Sequence, residues 1–552
     1  MMFDYSRYLI LVMNSNKTLN VKATGIIALA VMFSRVLGLI REVLFNTLFG
    51  TASMGIFLIS FRAPNLLRDL FAEGALSVSF ITIFSKKIET EGDDSAWRLA
   101  AKMLTLTSIV MSILSLIGII FAKYIIHALA PGFSIEDIGI TILLTQIMYP
   151  FILLVSLAAI IMGILNSKNV FGIPSLASSF FNIGSIFGGV FCGWLIDPVF
   201  GERALTGLAI GTMVGGLLQL IIQFPSLWRV GFRFKPDFRW NDPGIRTILI
   251  LTFPAIIAAS SVQFNVLINS AFASYLGKEA VTWLNSAFRL MQFPLGALGV
   301  AIATITLPVI SRIAASTSQT QFGPTLGRSM RLAIFLTMPA AVGLWFFAKP
   351  IICLIYEHGK FHSTDTLQTA YALKFYALGL ISYACIKILS PAFYAIDKKW
   401  TPMMVSFSSI GLNIFLNYFL IFKLALGHGG LALSTSISAT SNFLILYILM
   451  NRSHNLQNTY FISTFLRCAL ASGLLGLSCW IISSHFSNFL YHPSLLISSI
   501  SMITAIFFAG LIYLLACLLF KIEIARSMLL NFQEKLERLT HRSESHISQK
   551  IN

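Results

Sequence analysis

Long apolar segments separated by short polar connections run along the chain from one end to the other. Apolar runs of 18 or more residues recur, which is the length that an α-helix needs to cross a bilayer. The alternating ten-residue segments of outer-membrane β-barrels are absent. The pattern therefore predicts an all-α polytopic membrane protein with about fourteen transmembrane helices. The predicted spans are 23–49, 54–84, 99–126, 138–165, 173–196, 203–224, 245–275, 280–310, 328–352, 366–394, 402–422, 429–450, 460–484 and 495–520.

Short motifs of the first half of the chain return in the same order in the second half. Arg62 and Arg289 each follow a phenylalanine and are 227 residues apart, and Pro174 and Pro402 each open a span and are 228 apart. This separation equals six spans, an even number, so the two copies have the same orientation. The sequence predicts two parallel six-helix repeats around a central cavity, with two extra C-terminal helices.

The repeat and the loop charges divide the chain into six regions. Lys and Arg are concentrated in alternate loops, which places both termini in the cytoplasm. Residues 1–20 form a polar extension or an upstream start before Met13, since the apolar run there is too short for a signal peptide. The regions are a cytoplasmic N-terminal extension (1–22), an N-terminal six-helix lobe (23–224), a basic cytoplasmic linker (225–246), a C-terminal six-helix lobe (247–450), two additional transmembrane helices (451–520) and a cytoplasmic tail (521–552).

Five arginines lie inside the predicted spans: Arg35 and Arg41 in the first, Arg62 and Arg68 in the second, and Arg289 in the eighth. An arginine at the bilayer centre costs about 2.5–3.5 kcal/mol on insertion scales, so five of them favour a polar cavity over packing. The planar guanidinium group matches the oxygens of a phosphate, and a pyrophosphate could use several at once. The arginines therefore predict a site for an anion within the membrane.

The spacing of these arginines limits how they can share one cavity. Each pair is six residues apart, which separates the two side chains by about 120° on a straight helix. Gly38 and Pro64 lie between the members, where a kink could bring them together. Three nearby acids, Glu42, Asp69 and Glu73, could pair with some of the arginines, either as gates or as simple staples between helices.

Four polar residues in later spans are candidates for coupling. Lys374 and Lys387 in the tenth span either snorkel to the surface or couple lobe motion to charge. Asn413 and Asn417 are one turn apart in the eleventh span, opposite hydroxyl residues of the twelfth. They either form hydrogen bonds between helices or coordinate a small monovalent cation. No cofactor is expected, and a monovalent ion or the membrane potential would supply energy.

Three segments resemble motifs of the MurJ/MviN lipid II flippases, of the multidrug/oligosaccharidyl-lipid/polysaccharide exporter superfamily. Residues 33–42 (Phe-Ser-Arg-Val-Leu-Gly-Leu-Ile-Arg-Glu) resemble the first-helix motif. Residues 64–68 (Pro-Asn-Leu-Leu-Arg) with 70–75 resemble the second-helix motif, and residues 289–294 resemble the eighth-helix motif. The resemblance extends over all fourteen spans.

The resemblance implies a step of peptidoglycan biosynthesis, and hence of cell wall biogenesis and cell shape. The cargo would be lipid II, an undecaprenyl-pyrophosphate-linked disaccharide-pentapeptide, moved across the bacterial inner membrane by a monomer in contact with membrane lipids and other envelope-assembly proteins. The last two spans would form a groove for the lipid tail. The substrate-binding residues implied are Ser34, Arg35, Arg41, Arg68 and Arg289, to which the position of Arg62 adds a sixth.

Some positions depart from the family pattern. An acid is expected where this chain has Gly55, Gln292 and Asn417, and a base where it has Asp69. The arginines are retained, whereas a gating salt bridge at Gln292 and cation coupling at Asn417 lack the acid that they would use.

Composition limits the competing functions. Of 552 residues, 56% are hydrophobic and 11% charged, and the net charge of +17 lies mostly in short loops and the tail, which argues against nucleic-acid binding. An enzyme would need a base or metal site, and His358 and His362 have no obvious third ligand. A scaffold for envelope assembly would not need buried arginines. The alternative cargo is another polyprenyl-linked glycan or an amphipathic small molecule.

Overall fold

The computed structural model describes residues 21–72, 75–316 and 319–530, which form helices and no strands. The first-half helices are α1 (Val21–Leu67), α2 (Ala75–Glu91), α3 (Asp93–Leu129), α4 (Ile135–Met148), α5 (Phe151–Ser167), α6 (Gly172–Ile196), α7 (Ala204–Ile221) and α8 (Phe224–Arg229). They are followed by α9 (Pro243–Ser274), α10 (Lys278–Pro294), α11 (Val300–Ala315), α12 (Phe322–Phe346), α13 (Ala348–Tyr356), α14 (Ser363–Ala395), α15 (Trp400–Tyr418), α16 (Gly427–Ser453), α17 (Asn458–His485), α18 (Ser487–Leu490) and α19 (Leu495–Leu519). The predictions made for residues 1–20, Glu73 and residues 531–552 lie outside the described residues.

The number of membrane spans agrees with the apolar pattern. Within the described ranges, 12 helical stretches are long and apolar enough to cross a membrane. The first of these contains Gly50, whose φ of 77° breaks α1 into two arms, and α9, with 32 residues, adds a further span. The predicted all-α fold with about fourteen transmembrane helices is confirmed.

Of the three π-helical segments in the described residues, two mark equivalent positions in the two halves, and the third is Phe419–Lys423. The equivalent two are Arg68–Ala72, after α1, and Leu295–Gly299, after α10, and they begin 227 residues apart. A proline lies shortly before each of them, at Pro64 and Pro294. Proline cannot donate a helical hydrogen bond, so the backbone nearby adopts a wider turn. Gly38 remains helical, so the irregularity in this region follows Pro64 instead.

Helix packing joins the two halves at a few places. Helices α1 to α7 pack mainly on one another, as do α10 to α16, while α17 and α19 pack together with α12. Between the halves, α1 contacts α10, and α9 contacts α2 and α3 at one end and α15 and α16 at the other. These junctions position the side chains of the candidate site.

The connections predicted on the side away from the cytoplasm contact one another, and we call them the outer face (residues 50–55, 130–137, 197–203, 275–283 and 357–365). The Lys278 ammonium lies 2.8 Å from the Asp137 carboxylate. The Thr282 hydroxyl donates to the Thr51 carbonyl at 2.7 Å, and the Lys360 amide donates to the Thr47 carbonyl at 2.9 Å. Each contact joins a first-half residue to a second-half residue, so the two halves are in contact at the outer face.

Candidate functional site

A buried acid of α1 connects the two halves within the membrane. The Oε2 of Glu42 lies 2.6 Å from the Nη1 of Arg289 on α10, and this Nη1 also donates to the Gly38 carbonyl at 2.8 Å. The hydroxyls of Ser286 and Tyr356 donate to the other carboxylate oxygen, each at 3.0 Å. The Glu42 side chain is 8% exposed, whereas that of Arg289 is 38% exposed. Arg289 is therefore held in place while part of its guanidinium group stays accessible.

Arg68 is also paired with an acid, through the π-helical segment that it begins. Its Nη2 and Nε donate to Asp69 Oδ1 at 2.9 and 3.2 Å. The other Asp69 oxygen accepts from Gln263 of α9 at 3.1 Å and from Asn65 at 3.4 Å. Asp69, which stands where the family pattern often has a base, thus connects Arg68 to the second half of the chain.

Arg35 and Arg41 are positioned by contacts other than acids. The Arg41 guanidinium lies over the Phe181 ring of α6, 5.0 Å from its centroid. Arg35 packs so closely on the second π-helical segment that a Cβ added at Gly296 would lie 2.3 Å from its Nη1. Within the described ranges, no acid forms an ion pair with either of them. Neither positive charge is therefore neutralised by an ion pair within these ranges.

These contacts place four of the predicted arginines at the boundary between the two halves. Arg35, Arg41, Arg68 and Arg289, which we call the arginine site, lie on α1, its π-helical extension and α10. Ser34 is half-buried beside them, and its carbonyl accepts from Asn182 of α6 at 3.1 Å. The contacts with α6, α9 and α10 bring both halves to this stretch of α1.

Arg62 faces a different space. It lines a cavity of about 360 Å³ formed mainly by α9, α10, α14, α15 and α16, and Lys387 lines the same cavity. The other four arginines are not part of this lining. The structure therefore brings Arg62 and Lys387 together and places them apart from the arginine site, whereas Lys374 is half-buried elsewhere on α14.

Asn413 and Asn417 belong to a buried network of hydrogen bonds between helices. The Nδ2 of Asn417 donates to Asn269 of α9 at 2.8 Å and to Asn413 at 3.2 Å, and Asn265 donates to Asn413 at 3.2 Å. Ser434 of α16 donates to Asn417. Sequence reasoning missed Asn265 and Asn269, although they are one turn apart on the seventh span, as the other two are on the eleventh. Within the described ranges, no group of three or more His, Cys, Asp or Glu residues could hold a metal ion.

The structure explains why one of the positions where the family pattern has an acid, Gly55, holds a glycine in this chain. A Cβ at Gly55 would lie 1.9 Å from the Lys278 carbonyl oxygen, so α1 meets the first residue of α10 backbone to backbone. Only glycine permits this approach, and an acid could not replace it. Gln292 is exposed on α10.

A buried acid that sequence reasoning missed lies at the outer face. Asp365 Oδ1 accepts from the Thr51 hydroxyl at 2.9 Å and from the Trp283 indole at 2.8 Å. Its Oδ2 accepts from the His362 amide at 2.9 Å, at the start of α14. The sequence signal for Asp365 was its position three residues after His362, the residue that caps α14, because this is the capping-box spacing. Asp365 connects α1, α10 and α14.

Comparison with known proteins identifies the family. The family model described as "Lipid II flippase MurJ" matches residues 45–500 of the chain. The chain belongs to this family. A "Probable lipid II flippase MurJ" of Buchnera aphidicola subsp. Acyrthosiphon pisum is 36% identical over 423 residues, which cover 76% of this chain and 81% of the relative.

Solved structures agree with this assignment. A structure titled "Lipid II flippase MurJ, inward closed conformation" matches with a TM-score of 0.72 and 27% identity, over 88% of this chain and 98% of the other. An inward-facing multidrug resistance MATE family transporter of the MOP superfamily matches with a TM-score of 0.65 and 15% identity, over 76% and 94%, which shows a shared fold. The sequence resemblance is confirmed, and the chain is a multi-pass protein of the bacterial inner membrane and a member of a transporter family.

Proposed function

We propose that this protein moves lipid II from the cytoplasmic to the outer leaflet of the inner membrane by alternating access. Relatives named as lipid II flippases support the cargo. The observation that carries the mechanism is the accessible positive charge of Arg35, Arg41 and Arg289 on either side of the contact between the two halves. The pyrophosphate of lipid II is the group that would bind these positively charged side chains.

The arginine site is suited to a pyrophosphate because its guanidinium groups are already held in place. Phe181 supports Arg41 from one side, and Glu42 fixes Arg289 from the buried side. Charge-assisted hydrogen bonds from such groups are stronger where water is scarce. An incoming pyrophosphate would therefore gain several bonds without first ordering the side chains.

The transport cycle that we propose uses the two repeats as moving lobes, residues 23–224 and 247–450. The contact between the two halves at the outer face corresponds to a state that receives substrate from the cytoplasm, where both termini lie. The tail of the lipid would stay in the membrane along the groove of α17 and α19. Membrane potential supplies about 2.3 kcal/mol per charge for each 100 mV, which could drive the return step.

The test uses a strain depleted of its own flippase and complemented with variants. Arg35→Ala or Arg41→Ala should abolish the appearance of lipid II in the outer leaflet, while the amount of protein in the membrane stays unchanged. Arg203→Ala, an exposed arginine of the outer face, is the matched control and should transport normally.

Normal outer-leaflet lipid II in both arginine-site variants would contradict the proposal. Reconstituted vesicles that contain either lipid II or undecaprenyl-pyrophosphate bearing another glycan would then distinguish the cargoes. Preferred transport of the other glycan would favour the alternative function.

A further inference from the structure

The cavity that contains Arg62 has an unusual lining for the interior of a membrane protein, and we call it the asparagine cavity. It is enclosed by Asn265, Asn269, Asn285, Asn413 and Asn442, together with hydroxyl residues, two tyrosines and aliphatic side chains. Its charged residues are Arg62 and Lys387, and no acid of the described chain lines it. Such a lining suits a ligand that is anionic and rich in hydrogen-bonding groups, and it disfavours a cation.

Three buried polar atoms around this cavity lack hydrogen-bond partners among the described residues: Arg62 Nε, Ser438 Oγ and Asn442 Oδ1. Buried polar atoms are nearly always satisfied, so three orphans around one space need an explanation. The first is a donor, the last is an acceptor and the hydroxyl can be either. A ligand that satisfies all of them must both accept and donate, as a peptide with a carboxylate does.

The asparagine cavity is also close to the arginine site along two helices. Asn285 lines the cavity and is one turn before Arg289 on α10, where residues four apart are neighbours on the helix surface. On α9, Gln263 donates to Asp69, the partner of Arg68, and Asn265 lines the cavity two residues later, on a different face of the same turn. A molecule bound by its pyrophosphate at the arginine site could extend into this cavity.

We propose that the asparagine cavity binds a carboxylate-bearing peptide segment, with Arg62 and Lys387 on the carboxylate and the amide side chains on the peptide bonds. This inference rests on the proposed function and deepens it: the cavity would take the end of the pentapeptide while the arginine site holds the pyrophosphate. A volume of about 360 Å³ suits a few residues and not the whole headgroup. Asn413, which lines the cavity, is held by the hydrogen bond that it accepts from Asn417.

The test measures binding to the purified full-length protein in detergent by calorimetry. The probe is the soluble disaccharide-pentapeptide, without lipid or pyrophosphate, in two forms: with a free C-terminal carboxylate and with an amidated C-terminus. For the acid form, Arg62→Gln should weaken binding at least about tenfold, the loss of one charge-assisted hydrogen bond. The amide form should bind the wild type and this variant equally. Lys374→Gln, on the same helix as Lys387 but outside the cavity, is the control and should bind as the wild type does.

Equal binding of the two forms to the wild type, or an unchanged affinity in Arg62→Gln, would overturn the inference. Competition by acetate as strong as by the peptide would also overturn it, because the site would then be for any small carboxylate. If Arg62→Gln does not fold, Lys387→Gln provides the same comparison, since Lys387 is the other cation placed on the carboxylate. The two failures are distinguishable. Loss of transport in Arg41→Ala with retained peptide binding separates the arginine site from the cavity, whereas loss of peptide binding in Arg62→Gln leaves the transport test of Arg41→Ala unaffected.

Discussion

Glu42 of α1 lies 2.6 Å from Arg289 of α10, so this ion pair joins the two halves of the chain. The acid is buried and makes two further hydrogen bonds, while the arginine is partly accessible. The pair can both hold the halves together and present a guanidinium group to a substrate. Binding of an anion to Arg289 would weaken its attraction to Glu42, which links cargo binding to the contact between the halves.

Arg289→Gln should destabilise the protein by about 1–3 kcal/mol, less than a fully buried pair because Arg289 is partly exposed. The reason is that Glu42 keeps its charge in a buried position without its counter-ion. Adding Glu42→Gln to this variant should restore part of the loss, since no unpaired charge then remains. Denaturation midpoints of the two single variants and the double variant form a double-mutant cycle, and strictly additive effects would contradict the coupling.

The contact between Phe181 and Arg41 should contribute to anion affinity. Phe181→Leu keeps an apolar side chain but removes the ring face, and a cation–π contact contributes about 0.5–2 kcal/mol. We expect pyrophosphate to bind the purified variant several-fold more weakly. Phe187→Leu, an exposed ring on the same helix, should leave the affinity unchanged, and an equal loss in both variants would show that the ring does not position Arg41.

Gly55→Ala should prevent the outer face from closing. The added methyl group would overlap the Lys278 carbonyl, and forced repacking of this kind costs about 1–3 kcal/mol. Lipid II transport and the denaturation midpoint should both fall. Gly343→Ala in α12 is the control, because a Cβ there meets no atom within 4 Å and alanine favours a helix. A Gly55→Ala protein as stable and active as this control would show that the close approach is dispensable.

Asp365 should stabilise the contacts of the outer face, and the loss of stability should increase with the number of its hydrogen bonds that a substitution removes. Asp365→Ala leaves the Trp283 indole and the Thr51 hydroxyl without their acceptor, which we expect to cost about 2–4 kcal/mol. Asp365→Asn should lie between this variant and the wild type, because an amide oxygen can still accept one of these bonds but its NH₂ group cannot accept from the His362 amide. Thermal midpoints in detergent measure the order. Glu136→Ala, an exposed acid of the same face, should have little effect, and identical midpoints for the Asn and Ala variants would contradict the assignment.

The sequence by itself determined the class of the protein, the number of spans and the unusual arginines. These properties are local, because the cost of placing a residue in hydrocarbon depends on the residue and its neighbours in one helix. The sequence also predicts a parallel repeat, and two of the three π-helical segments lie at the separation that the matching Phe-Arg pairs have.

Only the tertiary structure decided which groups these residues meet. Glu42 was a candidate partner for an arginine, but it pairs with Arg289 because of how α1 is rotated against α10. The same holds for Asp365 and Thr51, and for Arg62, which faces the asparagine cavity and not the arginine site. The physical reason is that a helical side chain has a direction set by packing between distant segments, and short motifs carry no information about that rotation.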